Sequence, residues 1–476
     1  MRPEPKRGNS ARIDRRRVGA STPKVCVLSG PRVALPRFPP KVHPGVQETS
    51  AQQGMTKFLY ISRFFPPMGG AEPRYNVSLI RHLCKAGFRP TVLTSEIRAH
   101  DSLDPFLASL VPAEAEVHRI PWAREGKLTP IGRRARRVLR TPANPLGFTG
   151  WRRVYDSARV LAQRFDFRFI HSVHGLGAAH LAALRLKRET GLPWIAEFQD
   201  PWSYNWIVWN GMEARSSRCW CSLNRARTQR ALRRVATTAD VLVTESPAHA
   251  ARLREEFGRA ARDVIPAAMG WDADLAEEGG ETPIVAARRP AIGHVGTLYG
   301  GYDYVANRFV RALKQLEAEG QPFTFLSLGD RSGAFRRAAA AHALSCFASV
   351  ESLPLDQALA LMKGLDFGLV CVAQEYPLHL TSKVWEYLQS GLSVLGIVPA
   401  EGSVAEVITG GNCGYLLPYD ADQMVPVLRQ ALDEWESGTS LHASPEYVAG
   451  FERARTIQPL VERLRQLSVP ASRAEQ

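Results

Sequence analysis

The sequence predicts an α/β fold of two doubly wound halves, each a parallel sheet with helices on both faces. Apolar strand-like runs alternate with helical stretches from Met55 to about residue 266. A second alternating series runs from Pro290 to about residue 432. Between them, residues 272–282 are polar and Gly-containing, which favours a linker. Because such sheets bind ligands at the carboxyl ends of their strands, the cleft between the halves is the expected site.

Each half divides into elements by the same patterns. Strands are predicted at 57–63, 89–94, 117–120, 167–172, 194–198, 241–244 and 263–265, and then at 291–295, 323–328, 347–350, 367–372, 392–398 and 415–417. Helices are predicted at 72–85, 152–165, 177–187, 216–234 and 248–257, and then at 305–316, 333–342, 355–362, 404–409 and 422–436. The stretch 447–467 has apolar residues spaced for one further helix with a packed face.

These elements predict five segments along the chain. They are a basic, disordered extension (1–54), a first Rossmann-like domain (55–270), a linker region (271–289), a second Rossmann-like domain (290–440) and a C-terminal helical segment (441–476). The first segment is rich in Pro, Arg, Gly and Ser and has no continuous apolar core, which is typical of disorder rather than of a signal peptide.

Charge and cysteine usage narrow the function classes. Of the net charge of +15, residues 1–54 carry 11 Lys/Arg against 3 Asp/Glu, and residues 124–153 carry 9 against 1. The remainder is close to neutral, so a nucleic-acid-binding face is not expected. The seven cysteines are scattered, which favours reduced thiols and a cytoplasmic protein over a disulfide framework or metal site.

The most informative motif runs from Leu380 to Gly396. It predicts a short helix capped by Ser382 and ended by Gly391, followed by a buried strand. Lys383 and Glu386 are three residues apart and share one helical face, either as a solvated ion pair or as ligand-binding groups. A helix N-terminus with a lysine in its first turn attracts phosphate.

Other candidate residues follow predicted strands. The loop 64–72 contains Gly69-Gly70, which lets the backbone approach a phosphate closely and lacks the Gly-x-Gly-x-x-Gly spacing of NAD-binding loops. Asp200 lies in an Asp-Pro-Trp turn that four aromatic residues follow (Trp202, Tyr204, Trp206 and Trp209). Ser246 is expected to be a helix N-cap. His171 and His174 lie at the end of the strand 167–172.

The motif around Lys383 resembles the Ser-Lys-x-x-Glu-Tyr-x-x-x-Gly-x-Pro-Val signature of retaining glycosyltransferases of the GT-B fold, family 4. The loop 64–72 resembles the Pro-Pro-x-x-Gly-Gly-x-Glu loop of that family, residues 293–301 its Gly-x-Leu strand end, and His174-Gly175 its His-Gly turn. The resemblance covers most of the chain from Met55 to about Asp422. It implies that the first domain is the acceptor side, that the second domain binds the nucleotide-sugar donor, and that the C-terminal helix in residues 441–476 crosses back to the first domain.

The resemblance implies roles for individual residues. They are donor diphosphate binding (Gly69, Gly70, Thr297, Ser382 and Lys383), ribose binding (Glu386), sugar binding (Glu375, Tyr376 and His379) and catalysis (Asp200 and His174). It also implies a metal-independent reaction without a cofactor, in which the donor diphosphate helps to deprotonate the acceptor. An Asp-x-Asp metal clamp is not expected, since Asp272-Ala-Asp274 falls in the predicted linker.

The sequence departs from the family pattern at two places. Relatives carry an Arg and a Lys-Gly after the first strand of the second half, whereas this chain has no Lys or Arg between Arg289 and Arg308. Relatives of the Glu-x7-Glu type also carry a glutamate eight positions before the second one, where this chain has Leu378.

The function predicted from this resemblance is transfer of a sugar from a nucleoside-diphosphate-sugar to a hydroxyl of a glycan or lipid-linked acceptor, in polysaccharide biosynthesis. Two alternatives stay open: a non-catalytic protein that binds a nucleotide-sugar or a glycan-assembly partner, and a GT-B nucleotide-sugar epimerase. Residues 124–153 interleave arginines with Leu and Val, which predicts peripheral attachment to the anionic inner face of the cytoplasmic membrane. A solvated basic loop or an anionic-glycan site fits the same residues.

Overall fold

The computed structural model of the chain describes residues 55–122, 150–173, 177–201, 218–258, 263–267, 270–277, 288–298 and 302–468. Within these residues two parallel sheets form, one of seven strands and one of six. The predicted α/β class with two doubly wound halves is therefore confirmed. None of the helices in these ranges is long and apolar enough to cross a membrane.

The first sheet contains β1 (Thr56–Ser62), β2 (Phe88–Ser95), β3 (Glu116–Ile120), β4 (Ile170–Val173), β5 (Trp194–Phe198), β6 (Val241–Thr244) and β7 (Val264–Pro266). Its strand order is β3-β2-β1-β4-β5-β6-β7. The helices that accompany it are α1 (Ala71–Lys85), α2 (Pro105–Ser109), α3 (Trp151–Arg164), α4 (Ala178–Thr190), α5 (Arg218–Thr238), α6 (Pro247–Phe257) and α7 (Ala273–Glu277). The order reverses between β1 and β4, which is where such sheets open a ligand crevice.

The second sheet contains β8 (Ala291–Val295), β9 (Thr324–Leu328), β10 (Phe347–Val350), β11 (Phe367–Cys371), β12 (Ser393–Ile397) and β13 (Gly414–Leu416). Its order is β10-β9-β8-β11-β12-β13, which reverses between β8 and β11. Its helices are α8 (Asp303–Ala318), α9 (Ala334–Ala341), α10 (Leu355–Met362), α11 (Ser382–Gln389), α12 (Ser403–Gly410) and α13 (Ala421–Glu436). Three short helices end the described chain: α14 (Pro445–Gly450), α15 (Arg453–Thr456) and α16 (Gln458–Ser468).

The central strands read as continuous apolar runs because both faces of each sheet are covered. In β1, Leu59 and Ile61 pack into the core on one face, while Phe58 and Tyr60 pack into the core on the other. The core of the second sheet and its helices also includes Val77, Leu107, Leu110 and Leu275 from the first half. The two halves are therefore packed against each other as well as around their own sheets.

The C-terminal stretch differs from the single helix that its apolar spacing predicts. The backbone at 451–453 leaves the helix to bond Trp271, with Trp271 N donating to the Phe451 carbonyl (3.0 Å) and Arg453 N donating to the Trp271 carbonyl (2.7 Å). Before this break, Phe451 stacks on Trp385 of the second half. After it, α16 buries Leu460, Val461 and Leu464 in the core of the first half. The apolar residues of the stretch 447–467 thus pack into the cores of both halves, which a single straight helix could not reach.

The structure differs locally from the sequence prediction at two places. Ser382 is the first residue of α11 and not its cap, since Thr381 is the N-cap and its Oγ1 accepts from Lys383 N (3.4 Å). Helix α2, which the sequence analysis does not predict, is capped by Asp104 and begins at Pro105. The predicted linker region contains α7, and it is bonded to α1 through Asp272 with His82 (2.7 Å) and Asp274 with Lys85 (2.5 Å).

Candidate functional site

A cavity of about 520 Å³ lies between the two halves, at the carboxyl ends of their strands. Its walls come from residues that follow β1 and β2 in the first half, and from residues that follow β8, β9, β10 and β11 in the second. We call it the main cavity. Six residues predicted from the sequence as donor-site groups line it: Gly69, Gly70, Thr297, Ser382, Lys383 and Glu386.

The two glycines of the first wall are required by the loop itself. Gly69 N donates to the Ser102 carbonyl (2.8 Å), and a Cβ at Gly69 would lie 3.3 Å from Asp104 Cβ. Gly70 has φ +117°, which side-chain-bearing residues rarely adopt. Gly70 then serves as the N-cap of α1 without a side-chain bond, so the first turn of this helix is open to the cavity. A helix N-terminus in this setting favours an anion.

The second wall presents Lys383 in the first turn of α11. Its ammonium lies beside Gly296, where an added Cβ would be 3.2 Å from Lys383 Cε and 3.6 Å from Nζ. Burial lowers the pKa of Lys383 from its usual value, and nearby Glu386 opposes that shift. Lys383 makes no ion pair with any residue in the described part of the chain. A half-buried ammonium without a carboxylate partner is a strong attractor for an anionic ligand.

Glu386 lies one helical turn after Lys383 and is buried, with 8% of its surface exposed. Its Oε1 accepts a hydrogen bond from Arg74 Nη1 of α1, so an ion pair spans the cleft. Arg74 also lines the main cavity. Sequence reasoning missed Arg74, because its partner is 312 positions away. The available signal was its place one turn after Gly70 on a helix that starts at the cleft.

Two other hydrogen bonds join the halves. Asp104 Oδ1 caps α2 by accepting from Leu107 N (3.1 Å), while its Oδ2 accepts from Leu355 N of the second half (3.0 Å). Ser246 Oγ accepts from His249 N (3.2 Å), as expected of an N-cap, and donates to the Leu378 carbonyl (3.4 Å). Position 378 therefore meets the first half through its backbone.

Asp200 and His379 approach each other from opposite halves, with Oδ1 and Nδ1 3.7 Å apart. We call this pair the Asp200–His379 face. The His379 ring stacks on Tyr376, with centroids 5.0 Å apart and planes within 6°. Burial, followed by the charge of Lys383, lowers the pKa of His379 to about 4, so its imidazole is neutral at pH 7. A neutral imidazole can accept a hydrogen bond from a hydroxyl.

The remaining candidate site residues lie outside the main cavity or outside the described residues. Tyr376 is buried beneath His379, whereas Glu375 is exposed, and neither lines the main cavity. His171 is buried and bonded to Glu197 (2.7 Å), which is a structural contact. His174, the aromatic residues 202–209 and most of the basic segment 124–153 lie outside the described residues.

Comparisons with known proteins give one family match. Residues 69–268 match the model of the glycosyl transferase 4-like domain. No curated protein matches the sequence.

Solved structures with similar folds cover 86–87% of this chain. Sucrose-phosphate synthase from Thermosynechococcus elongatus has a TM-score of 0.60 and 16% identity, over 87% of this chain and 99% of that chain. HepE from Anabaena, solved with UDP and glucose, has a TM-score of 0.58 and 15% identity, over 86% and 100%. A Listeria monocytogenes protein described as a UDP-N-acetylglucosamine 2-epimerase has a TM-score of 0.54 and 11% identity, over 87% and 97%. At these identities the likeness is one of fold.

Proposed function

We propose that the chain is a glycosyltransferase, because it has the GT-B fold and its residues 69–268 match the glycosyl transferase 4-like domain. It moves a sugar from a nucleoside-diphosphate-sugar to a hydroxyl of a glycan or lipid-linked acceptor, with retention of configuration and without a metal ion or cofactor. The observation that carries the proposal is the main cavity, where Lys383 and Glu386 face the Gly69-Gly70 loop.

Each wall of the cavity has a task in this proposal. Lys383 and the N-termini of α1 and α11 hold the donor diphosphate, with Ser382 and Thr297 beside it. Charge develops on the diphosphate as the bond to the sugar breaks, and fixed donors stabilise that charge without reorganisation. Glu386 accepts hydroxyls of the ribose, since a carboxylate offers two acceptor oxygens.

The Asp200–His379 face is proposed to contact the transferred sugar. Asp200 orients a hydroxyl of donor or acceptor, and neutral His379 accepts a hydrogen bond from the sugar. The enzyme then acts mainly by holding the acceptor hydroxyl on the face of the sugar that the diphosphate leaves, which converts an encounter into a near-unimolecular step. Glu375 and His174 keep their predicted roles as sugar-binding and catalytic candidates.

Transfer and binding have to be measured separately, because a non-catalytic binding protein is the second candidate. That candidate is favoured by Leu378, where relatives carry a glutamate, and by the missing Lys or Arg between Arg289 and Arg308. Purified protein is incubated with radiolabelled UDP-, GDP- and dTDP-sugars, and release of free sugar is followed with and without EDTA. An EDTA-insensitive release that Lys383→Ala abolishes supports the enzyme. Tight donor binding with no release and no transfer to any acceptor supports the binding protein.

The basic segment 124–153 suggests where the protein encounters its acceptor. We extend the proposal to a cytoplasmic protein that attaches to the inner face of the cytoplasmic membrane through residues 124–153, because arginines near anionic lipid each contribute about 1 kcal/mol. Lipid-linked acceptors for polysaccharide synthesis would be reached from that surface.

A further inference from the structure

The turn after β8, in the second half of the proposed donor site, carries no cation. The leaving diphosphate gains charge as the reaction proceeds, and guanidinium or ammonium groups are the usual means of stabilising it. Between Arg289 and Arg308 the sequence contains neither Lys nor Arg. Within the second half, Lys383 is then the cation nearest the Gly296 turn. Arg331 also lines the main cavity, but it is exposed and belongs to the same half as Lys383. A cation on the opposite wall therefore has to come from the first half if the diphosphate is to be held from both sides.

Arg74 meets the geometric requirements for that group. It lies one turn into α1, where its backbone N bonds the Gly70 carbonyl (3.2 Å), so it is fixed to the same loop that faces the diphosphate. Its side chain is 13% exposed and lines the main cavity together with Lys383. A guanidinium has five N–H donors in a planar fork that matches two phosphate oxygens.

The partner of Arg74 explains how this charge is kept in the cavity. Glu386 is 10% exposed at its side chain, and a carboxylate so enclosed is costly unless it is paired. Arg74 pairs it across the cleft through one carboxylate oxygen, Oε1. Ribose hydroxyls that bond Glu386 compete with this contact, and a diphosphate next to Lys383 offers Arg74 a stronger acceptor.

We propose that Arg74 is the second diphosphate-binding cation, supplied by the opposite half, and that its ion pair with Glu386 holds it at the site while the cavity is empty. The inference rests on the proposed function, because it takes the main cavity to be the donor site. It predicts that Arg74 discriminates ligands by their phosphates. An ion pair that only joins the two halves predicts no such discrimination.

The test compares ligands with and without phosphates on intact protein. Calorimetric titrations with UDP, GDP and dTDP first identify the diphosphate that binds most tightly. The corresponding nucleoside and inorganic pyrophosphate are then titrated in the same way. Arg74→Gln is expected to weaken the diphosphate and pyrophosphate by about tenfold or more, since charge-assisted bonds are lost. The nucleoside alone should keep its affinity or gain some. Arg81→Gln is the matched control, because Arg81 lies on the same helix but pairs with Asp274 away from the cavity.

A double-mutant cycle tests whether Arg74 leaves Glu386 to bind the phosphates, or whether the net charge of the main cavity alone changes the affinity. Glu386→Gln should strengthen pyrophosphate by releasing Arg74, and that gain should vanish when Arg74→Gln is also present. Arg74→Lys keeps the charge but not the planar fork, so its affinity for the diphosphate should lie between those of the parent and Arg74→Gln. If Arg74→Gln fails to fold, Arg74→Lys takes its place in the titrations.

Three results would overturn the inference. Equal weakening of diphosphate and nucleoside in Arg74→Gln makes Arg74 a positioning group for Glu386 only. Unchanged diphosphate binding in both Arg74 variants removes it from the site, while the proposed function stands. A parent protein that binds none of the three diphosphates defeats the donor-site proposal and this inference together.

Discussion

The two ends of the cleft differ in the groups that they present. The main cavity brings together all six sequence-predicted groups and closes with a charged pair across the halves. At the Asp200–His379 face, the Leu378 carbonyl accepts from Ser246 Oγ, and a neutral His379 imidazole lies beside Asp200. Under the proposed function the first end binds the nucleotide and the second contacts the sugar, so substitutions at the two ends should have different effects.

The largest effect is expected at Lys383. Lys383→Ala removes a charge-assisted phosphate contact, which contributes about 1.5–3 kcal/mol, so diphosphate affinity should fall by at least about tenfold. Calorimetric titration with the best-bound diphosphate measures it. Lys363→Ala is the control, since Lys363 is an exposed lysine at the end of α10 in the same half. Parental affinity in Lys383→Ala would remove this lysine from the donor site.

Glu386 should control preference for the ribose. If its carboxylate accepts both vicinal hydroxyls, the parent protein binds UDP more tightly than 2′-deoxy-UDP. Glu386→Ala should weaken UDP by about tenfold and bring the two affinities close together, because the lost bonds are to the hydroxyls. Competition titrations with both ligands give the ratio. A ratio that survives the substitution assigns ribose recognition to another group.

Substitutions at the Asp200–His379 face should change the rate of sugar transfer and the pH dependence of stability, and should leave nucleotide affinity near the parental value. His379→Gln is expected to lower sugar transfer or release while diphosphate affinity stays near the parental value. The pKa of His379 is about 4 in the folded protein and about 6.5 in the unfolded chain. The unfolded chain therefore binds more protons between these values, so the parent loses stability as pH falls from about 6.5 towards 4.

That pH dependence has its own control measurement. In thermal melts, the stability of the parent relative to His379→Gln should be constant above about pH 6.5 and should fall as the pH falls towards 4. The comparison cancels other buried groups, such as His294, whose pKa burial also lowers. Parallel curves over the whole range would contradict the neutral state of His379.

The smallest effect concerns the membrane. Vesicles that contain anionic lipid should co-sediment with the protein, less so at higher salt, because surface charge attraction is screened. Changing Arg133, Arg134, Arg136 and Arg137 to Ser should reduce the bound fraction and leave diphosphate binding unchanged. Equal recovery on neutral and anionic vesicles, or no recovery on either, would remove the membrane proposal and leave the transferase proposal intact.

Local patterns carried most of what the sequence could predict. Strands buried on both faces, such as β5 and β6, lie at their predicted bounds, because continuous apolar runs with polar ends define them. Lys383 and Glu386 share the cavity because their spacing on α11 is set by the helix alone. The cap of α11 was misassigned by one residue, since Thr381 and Ser382 are both good caps and only backbone geometry decides.

Contacts between distant segments could not be predicted from the sequence. Arg74 could not be paired with Glu386 without knowing how the halves face each other. The break at 451–453 arises from bonds to Trp271, which no periodicity reports. The position of Tyr376 under His379 likewise depends on how the loop after β11 folds back. These features lie where the two halves contact each other.

The central claim is that the main cavity binds a nucleoside diphosphate, and thermal stabilisation tests it most directly. Ligands that bind only the folded state raise the melting temperature with concentration. At least one of UDP, GDP and dTDP should raise the melting temperature of the parent in a concentration-dependent way, and the shift should be lost in Lys383→Ala. No shift with any of the three at millimolar concentration, or equal shifts in parent and Lys383→Ala, would contradict the account.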